Sequence, residues 1–288
     1  MNKLGDIMPV FIYSLGSYKE FIAICKMEAK MTRITALCIC FIAVGLMFVN
    51  VSYAIDPATC VGKWSLDEGN GDVVKDSSGT GNDGTILGGA EWVDGYFEKA
   101  LEFKGSSTCV EVPNDPSLDG KEVTVMAWVK PSILSDDWNL IATKWFDAAG
   151  GDADADWHFC LRNSGGGVYK MNLYLTWDVQ NVFANSEVHA EEWSHLAFTV
   201  NDSGDIRFYL NGILDGEELG TSGRADSTTS LLYISDPRPS HFGMIGIIDE
   251  VSVYNVALSE ADIKNVMTAA AVFSAGKLTT TWAETKTK

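Results

Sequence analysis

Between Val61 and Tyr254 short runs of Val, Ile, Phe, Tyr and Trp alternate with clusters of Gly, Asn, Asp and Ser. That rhythm predicts strands separated by tight turns. The clearest strands are Val61–Leu66, Ala100–Phe103, Cys109–Val112, Val123–Val129, Leu140–Trp145, His158–Arg162, Met171–Trp177, Trp193–Val200, Ile206–Leu210, Leu231–Ser235 and Ile247–Tyr254. Leu196, Phe198 and Val200 share one strand face, as do Ile206, Phe208 and Leu210, and both faces are expected on the core. Asn211-Gly212 follows at once, a pair that supplies the two positive-φ residues of a tight hairpin. One helix is predicted: Ser259 to Asp262 resembles a capping box with Asp in the Glu position, and Ile263, Val266 and Met267 follow at helical spacing. No internal repeat and no Pro-rich linker divides residues 55–271, so they read as one domain, followed by a polar, Thr-rich tail over 272–288.

The amino end has a different pattern. Residues 34–49, ITALCICFIAVGLMFV, carry no charge, follow Lys30 and Arg33, and precede Ser52-Tyr53-Ala54. A basic flank, a short apolar core and small residues at the cleavage positions describe a secretory signal peptide cut after Ala54. The run is slightly short for a bilayer, which needs about 20 apolar residues, so cleavage is expected rather than membrane insertion. Residues 1–30 fit no part of such a signal, and Met31 stands where an ordinary one would begin. The expected product is secreted or held at the cell surface.

Charge narrows the partners. The whole chain has 21 basic and 39 acidic residues; without residues 1–54 the count is 16 against 36, a formal −20. Such a surface repels nucleic-acid phosphates and anionic lipid heads, and it suits divalent cations and neutral glycans. Cys60, Cys109 and Cys160 remain after cleavage. An oxidising compartment would allow one disulfide and one buried thiol, with Cys60 and Cys109 the expected pair. No Cys/His spacing suits zinc.

Seven segments occur in a telling order. Trp64-Ser65-Leu66-Asp67-Glu68-Gly69 leads into the Asp76–Thr85 loop, then Ala100-Leu101-Glu102-Phe103-Lys104-Gly105 and Thr124-Val125-Met126-Ala127-Trp128-Val129-Lys130-Pro131. Glu192–Ala197, Phe208–Gly212 and Ile248–Glu260 complete the series. In that order they resemble the LamG-like jelly-roll domains of bacterial secreted proteins, of the concanavalin A-like kind, from about Val61 to Ala270. The resemblance implies an all-β sandwich of two antiparallel sheets with one short C-terminal helix. It also implies a binding or adhesion role, with a glycan as the leading ligand and a cell-surface protein as the alternative, since this fold hosts many unrelated functions.

Candidate chemistry follows from both sources. Alternation places Asp249 on the face of Ile247, Val251 and Val253, where a lone carboxylate needs a partner. Related jelly-rolls often hold a structural calcium on an Asp of a late strand and on carbonyls of early loops. Asp249 matches that Asp, and carbonyls near Gly105 and Leu66 would complete the set. The other reading is an Asp satisfied by backbone N–H groups in a tight corner. The Asp76–Gly84 loop offers oxygens and turn glycines but lacks the closing Glu of an EF-hand, so it reads as a turn that pins two strands.

Asp147 to Asp156 reads as an inserted acidic loop with Asp152, Asp154 and Asp156 alternating with Ala, flanked by Trp145 and Trp157. Carboxylates beside exposed indoles can hold sugars; equally, the loop can be a solvated surface whose tryptophans belong to the core. Catalysis is not expected. Laminarinase-type glucanases of this fold carry E-x-D-x-x-E or a close variant on one strand, and no such run, G-x-S-x-G or H-E-x-x-H occurs.

Overall fold

In the computed structural model, residues 55–105, 107–134, 138–145, 157–175, 180–220, 230–236 and 243–269 are described. The chain divides between Ala54 and Ile55, and every described residue belongs to the second unit. The leader, the Thr-rich tail and the loop from Asp147 to Asp156 therefore lie outside the described residues.

Sixteen strands are formed among them: β1 Cys60–Trp64, β2 Val73–Val74, β3 Gly84–Leu87, β4 Glu91–Asp94, β5 Lys99–Lys104, β6 Cys109–Val112, β7 Val123–Ile133 and β8 Trp138–Trp145. The rest are β9 Trp157–Asn163, β10 Tyr169–Leu175, β11 Gln180–Phe183, β12 Ser194–Val200, β13 Ile206–Leu210, β14 Ile213–Glu218, β15 Leu231–Ser235 and β16 Ile245–Tyr254. They form two eight-stranded sheets. Sheet A runs β14-β13-β12-β7-β16-β5-β4 with β1 also paired to β16; sheet B runs β11-β10-β9-β8-β15-β6-β3-β2. Every ladder between these strands is antiparallel.

The core lies between the sheets and follows the alternation. Leu196, Phe198, Val200, Ile206 and Phe208 of sheet A enter it, and Phe159, Leu161, Met171 and Leu173 of sheet B meet them. Phe159 and Phe198 join the layers edge to face, with ring centroids 5.0 Å apart. Each large apolar side chain so buried contributes about 1.5–3 kcal/mol. Asn211 (φ 52°) and Gly212 (φ 77°) make the predicted tight turn between β13 and β14.

Sheet A is covered on its outer face as well. A helix over 260–269 opens with Ser259 Oγ donating to Asp262 Oδ2 at 2.6 Å, while the Asp262 N–H returns to Ser259 Oγ at 3.2 Å, which realises the capping box. Its Ile263 packs with Met126, Ala197, Tyr209 and Tyr254. β12 is accordingly buried at every position.

The expected disulfide is not formed: Cys60, Cys109 and Cys160 are free thiols. Cys60 packs with Tyr254 and Leu258 on the outer face of sheet A. Cys109 alternates with the core residues Val110 and Val112, so it faces outward from sheet B. Packed sheets stand about 10 Å apart, and a disulfide needs Cα atoms within about 7 Å. The whole core separates the two sulfurs.

Candidate functional site

The outer face of sheet B presents the richest open chemistry. Trp157, Phe159 and Leu161 point into the core, so His158, Cys160 and Arg162 point out; on β10, Lys170, Asn172 and Tyr174 do the same. Trp138 of β8 pairs with Arg162 and shares that face. The Arg162 guanidinium carbon lies 4.0 Å from the Trp138 ring centroid, and Arg162 also donates to Asn181 Oδ1. Trp138 meets Tyr174 edge-on at 5.6 Å, and His158 stacks on Tyr174 at 5.7 Å. Beside these rings is an open depression of about 440 Å³, lined by Arg162, Asn163, Ser164, Lys170, Asn181 and Phe183. The combination is the half-buried rings of Trp138, Tyr174 and Phe183 over a buried His158, with amides, a hydroxyl and two cations. It can pack against a sugar ring and hydrogen-bond its hydroxyls.

Asp249 lies on the opposite side of the molecule, and not on the face the alternation predicted. Glu250 has a positive φ (50°) and the β16–β7 register shifts between Asp249 and Ser252. This bulge leaves Ile248, Val251 and Val253 in the core and turns Asp249 outward. There it pairs with Trp128 and is fully buried. Its Oδ2 accepts the Phe97 N–H at 3.0 Å and its Oδ1 accepts the Glu250 N–H at 2.8 Å. Burial pushes its pKa up to about 8, and the charges of Glu250 and Asp67 act in the same direction, against the two N–H bonds. The backbone-satisfied corner is thus present.

Of the carbonyl donors expected for calcium, Gly105 is misplaced. Ile248 pairs with Leu101 and Ile245 with Lys104, so Gly105 lies five positions along β5 from the level of Asp249, about 16 Å at strand spacing. Its carbonyl accepts from Thr108 Oγ1 at 2.6 Å instead. Leu66 follows β1, whose Trp64 pairs with Val251, so the chain leaves the sheet toward Asp249; its side chain is in the core. The oxygens that do converge on Asp249 come from the following turn. A Cβ at Gly95 would lie 2.6 Å from the Lys99 carbonyl oxygen and 2.7 Å from both the Phe97 carbonyl oxygen and Asp249 Oδ2. Asp67 Oδ1 accepts the Lys99 N–H at 3.1 Å nearby. No cluster of three or more His, Cys, Asp or Glu side chains is poised to hold a metal among the described residues. A calcium ion here would rest on one or two carboxylates and on carbonyls, a mixture that hard cation accepts.

The remaining predicted residues divide. Asp147, Asp152, Asp154 and Asp156 lie outside the described residues, and the Trp145 backbone ends β8 opposite Leu231. Trp157 is corrected: it is 1% exposed and its indole packs edge-on against Phe198 across the core, 5.5 Å between centroids, so it offers no face to a ligand. The Asp76 loop is a turn with a hub. The Asp76 carboxylate accepts from the N–H groups of Lys63, Ser78, Gly81 and Asn82 and from the hydroxyls of Ser78 and Thr80, all within 3.0 Å.

A family model described as the concanavalin A-like lectin/glucanases superfamily matches residues 104–264, more than half of the chain. The chain belongs to this superfamily. Within it, Paraclostridial mosquitocidal protein 1 of Paraclostridium bifermentans is 20% identical over 207 residues, which are 67% of this chain and 16% of that protein. The chain therefore spans a small part of that relative's length. Among solved structures, domain 4 of an extracellular GH43 arabinanase from Geobacillus stearothermophilus, in complex with arabinotriose, aligns with a TM-score of 0.59 at 20% identity. That alignment covers 73% of this chain and 98% of the other. The binding domain of Paraclostridial mosquitocidal protein 1 gives 0.58 at 16% identity, over 74% of this chain and 52% of the other. At these identities the likeness is one of fold, and it agrees with the two-sheet jelly-roll seen here.

Sequence reading passed over Trp138, Arg162, Lys170, Tyr174 and Asn181. The signal lies in the two predicted strands themselves: alternation from Phe159 and Leu173 assigns His158, Arg162, Lys170 and Tyr174 to the face away from the core.

Proposed function

We propose that this protein is an exported recognition module that binds carbohydrate without transforming it. The observation that carries the reading is the outer face of sheet B, where Trp138, Tyr174 and His158 cluster beside a depression rimmed by amides and cations. With His158 buried and Arg162 lying over Trp138, the half-buried rings of Tyr174 and Phe183 are the ones to meet sugar C–H groups while the amides reach hydroxyls. The family's fold, and a structural neighbour named as a complex with arabinotriose, support the same ligand class. Residues 1–54 act as the export leader in this reading, and a structural calcium at Asp249 braces the opposite face. No helix among the described residues is long and apolar enough to cross a membrane.

The test is a glycan array followed by calorimetric titration of each hit against the protein and its Tyr174→Ala variant. Binding that falls at least tenfold in the variant, without turnover of the glycan, is expected. No glycan bound, or equal affinity in the variant, would overturn the proposal. A second reading, contact with another protein, is favoured by the edge strand β14, where Ile213 is 60% exposed and Leu219 just beyond it 59%.

A further inference from the structure

Two cations of the sheet B face stand directly opposite each other. Lys170 of β10 pairs with Arg162 of β9 in the antiparallel register, so their side chains rise side by side from one face. Like charges in that position destabilise a sheet. Most other basic groups among the described residues, Lys63 excepted, are paired with acids: Lys75 with Asp83, Lys99 with Asp94, Lys130 with Glu191, Lys144 with Asp119 and Lys264 with Glu260. On sheet A the cross-strand partner of Arg207 is Glu217, and the two form an ion pair. With 39 acidic residues against 21 basic, carboxylates are in surplus. Yet Arg162 and Lys170 have no carboxylate partner among the described residues, and no acid lines the depression they share.

The neighbours of the pair are those of a binding site. Arg162 is held in place by the Trp138 ring beneath it and by the Asn181 amide, so its fork is oriented before any ligand arrives. Asn163, Ser164 and Phe183 complete the lining with an amide, a hydroxyl and an apolar ring.

We infer that the sheet B depression binds an acidic saccharide, whose sugar carboxylate bridges Arg162 and Lys170. The inference rests on the carbohydrate reading above and names the charge of its ligand. A guanidinium fork meets a carboxylate with two parallel hydrogen bonds, and the anion removes the repulsion that the register imposes on the free protein. The Asn163 and Asn181 Oδ1 atoms accept from the Gly165 N–H and from Arg162, and Ser164 Oγ donates to the Val168 carbonyl. The two amide NH2 groups and the Ser164 Oγ lone pairs are thus left for hydroxyls, and Phe183 for the ring.

The experiment is titration calorimetry of the protein with oligosaccharides ending in uronate or sialate, each compared with its methyl ester, which keeps the ring and removes the charge. At low salt the acid is expected to bind at least tenfold more tightly than its ester, with the advantage shrinking as ionic strength rises. Lys170→Gln should weaken the acid several-fold more than the ester, and raise the melting temperature of the free protein by relieving the pair. Acid and ester binding equally would overturn the acidic ligand and leave carbohydrate binding intact. Binding of neutral glycans alone would do the same, whereas no binding of any glycan would overturn both readings.

Discussion

The Phe97 N–H donates to Asp249 Oδ2 at 3.0 Å, tying the turn before β5 to the middle of β16 across 152 positions of sequence. The contact sits under the aromatic cover of sheet A, where Tyr96 lies flat on Trp128 with centroids 3.5 Å apart. A carboxylate here is a fastening for backbone, whatever else it holds.

Replacing Asp249 by Ala leaves the N–H groups of Phe97 and Glu250 without their acceptor. A cost of about 2–4 kcal/mol is expected from two lost partners. Any rise in melting temperature that calcium gives the parent should vanish in the variant. Scanning calorimetry of both proteins with calcium and then with chelator checks this; a parent indifferent to chelator removes the ion from the corner. Gly95→Ala should cost a comparable amount, because its Cβ would press on Asp249 Oδ2 and two carbonyl oxygens.

Asp76 should govern part of the acid limit. Burial opposes its ionised form, but the N–H groups of Lys63, Ser78 and Asn82 outweigh this and hold its pKa below the ordinary value of 3.8. A depressed carboxylate gives stability that is present above the unfolded pKa and lost as pH falls below it. Asp76→Ala should therefore cost about 2 kcal/mol at neutral pH, with the gap to the parent closing below about pH 4. Urea melts at several pH values measure it; a constant gap would assign the cost to something other than ionisation.

His195 works in a higher window. It is 2% exposed, its Nδ1 lies buried, and desolvation brings its pKa down from 6.5 to about 4. A buried neutral histidine stabilises fully above the unfolded pKa, and the contribution falls away as pH drops from 6.5 through about 4. His195→Leu should flatten the stability profile over that interval, by up to about 3 kcal/mol at its acid end. An unchanged slope would mean that His195 is protonated inside the fold.

The thiols should be unreactive. Desolvation pushes Cys109 up to about 12, and Cys160, fully buried, higher still. Since the thiolate is the reactive form, Cys109 and Cys160 are expected to resist Ellman's reagent in the folded protein and to react in denaturant, with no change in melting temperature on adding reductant. A reductant-sensitive melt would reveal a disulfide.

Much of the sandwich could be read before any coordinates. All eleven predicted strands are present, because each carries an apolar face long enough to show its period. The five that escaped notice are short or peripheral: β2 has two residues, and β4 and β14 have no buried position at all. The site was harder for reasons of register. That Gly105 lies five positions from Asp249 along β5, and that Lys170 stands opposite Arg162, depends on how strands pair. No single strand carries that information. The bulge at Glu250 was also silent, since a left-handed non-glycine residue leaves no mark in composition.

β16 joins β1, β5 and β7 in one sheet, yet it is made after all three. On a ribosome, or while threading through a translocation pore, β5 and β7 would wait as two loose flaps with no common neighbour. The sheet could close only when Ile245–Tyr254 slid between them. Closure of sheet A is thus a late step in its synthesis, and a chaperone that guards the waiting flaps would be guarding the edges of a missing strand.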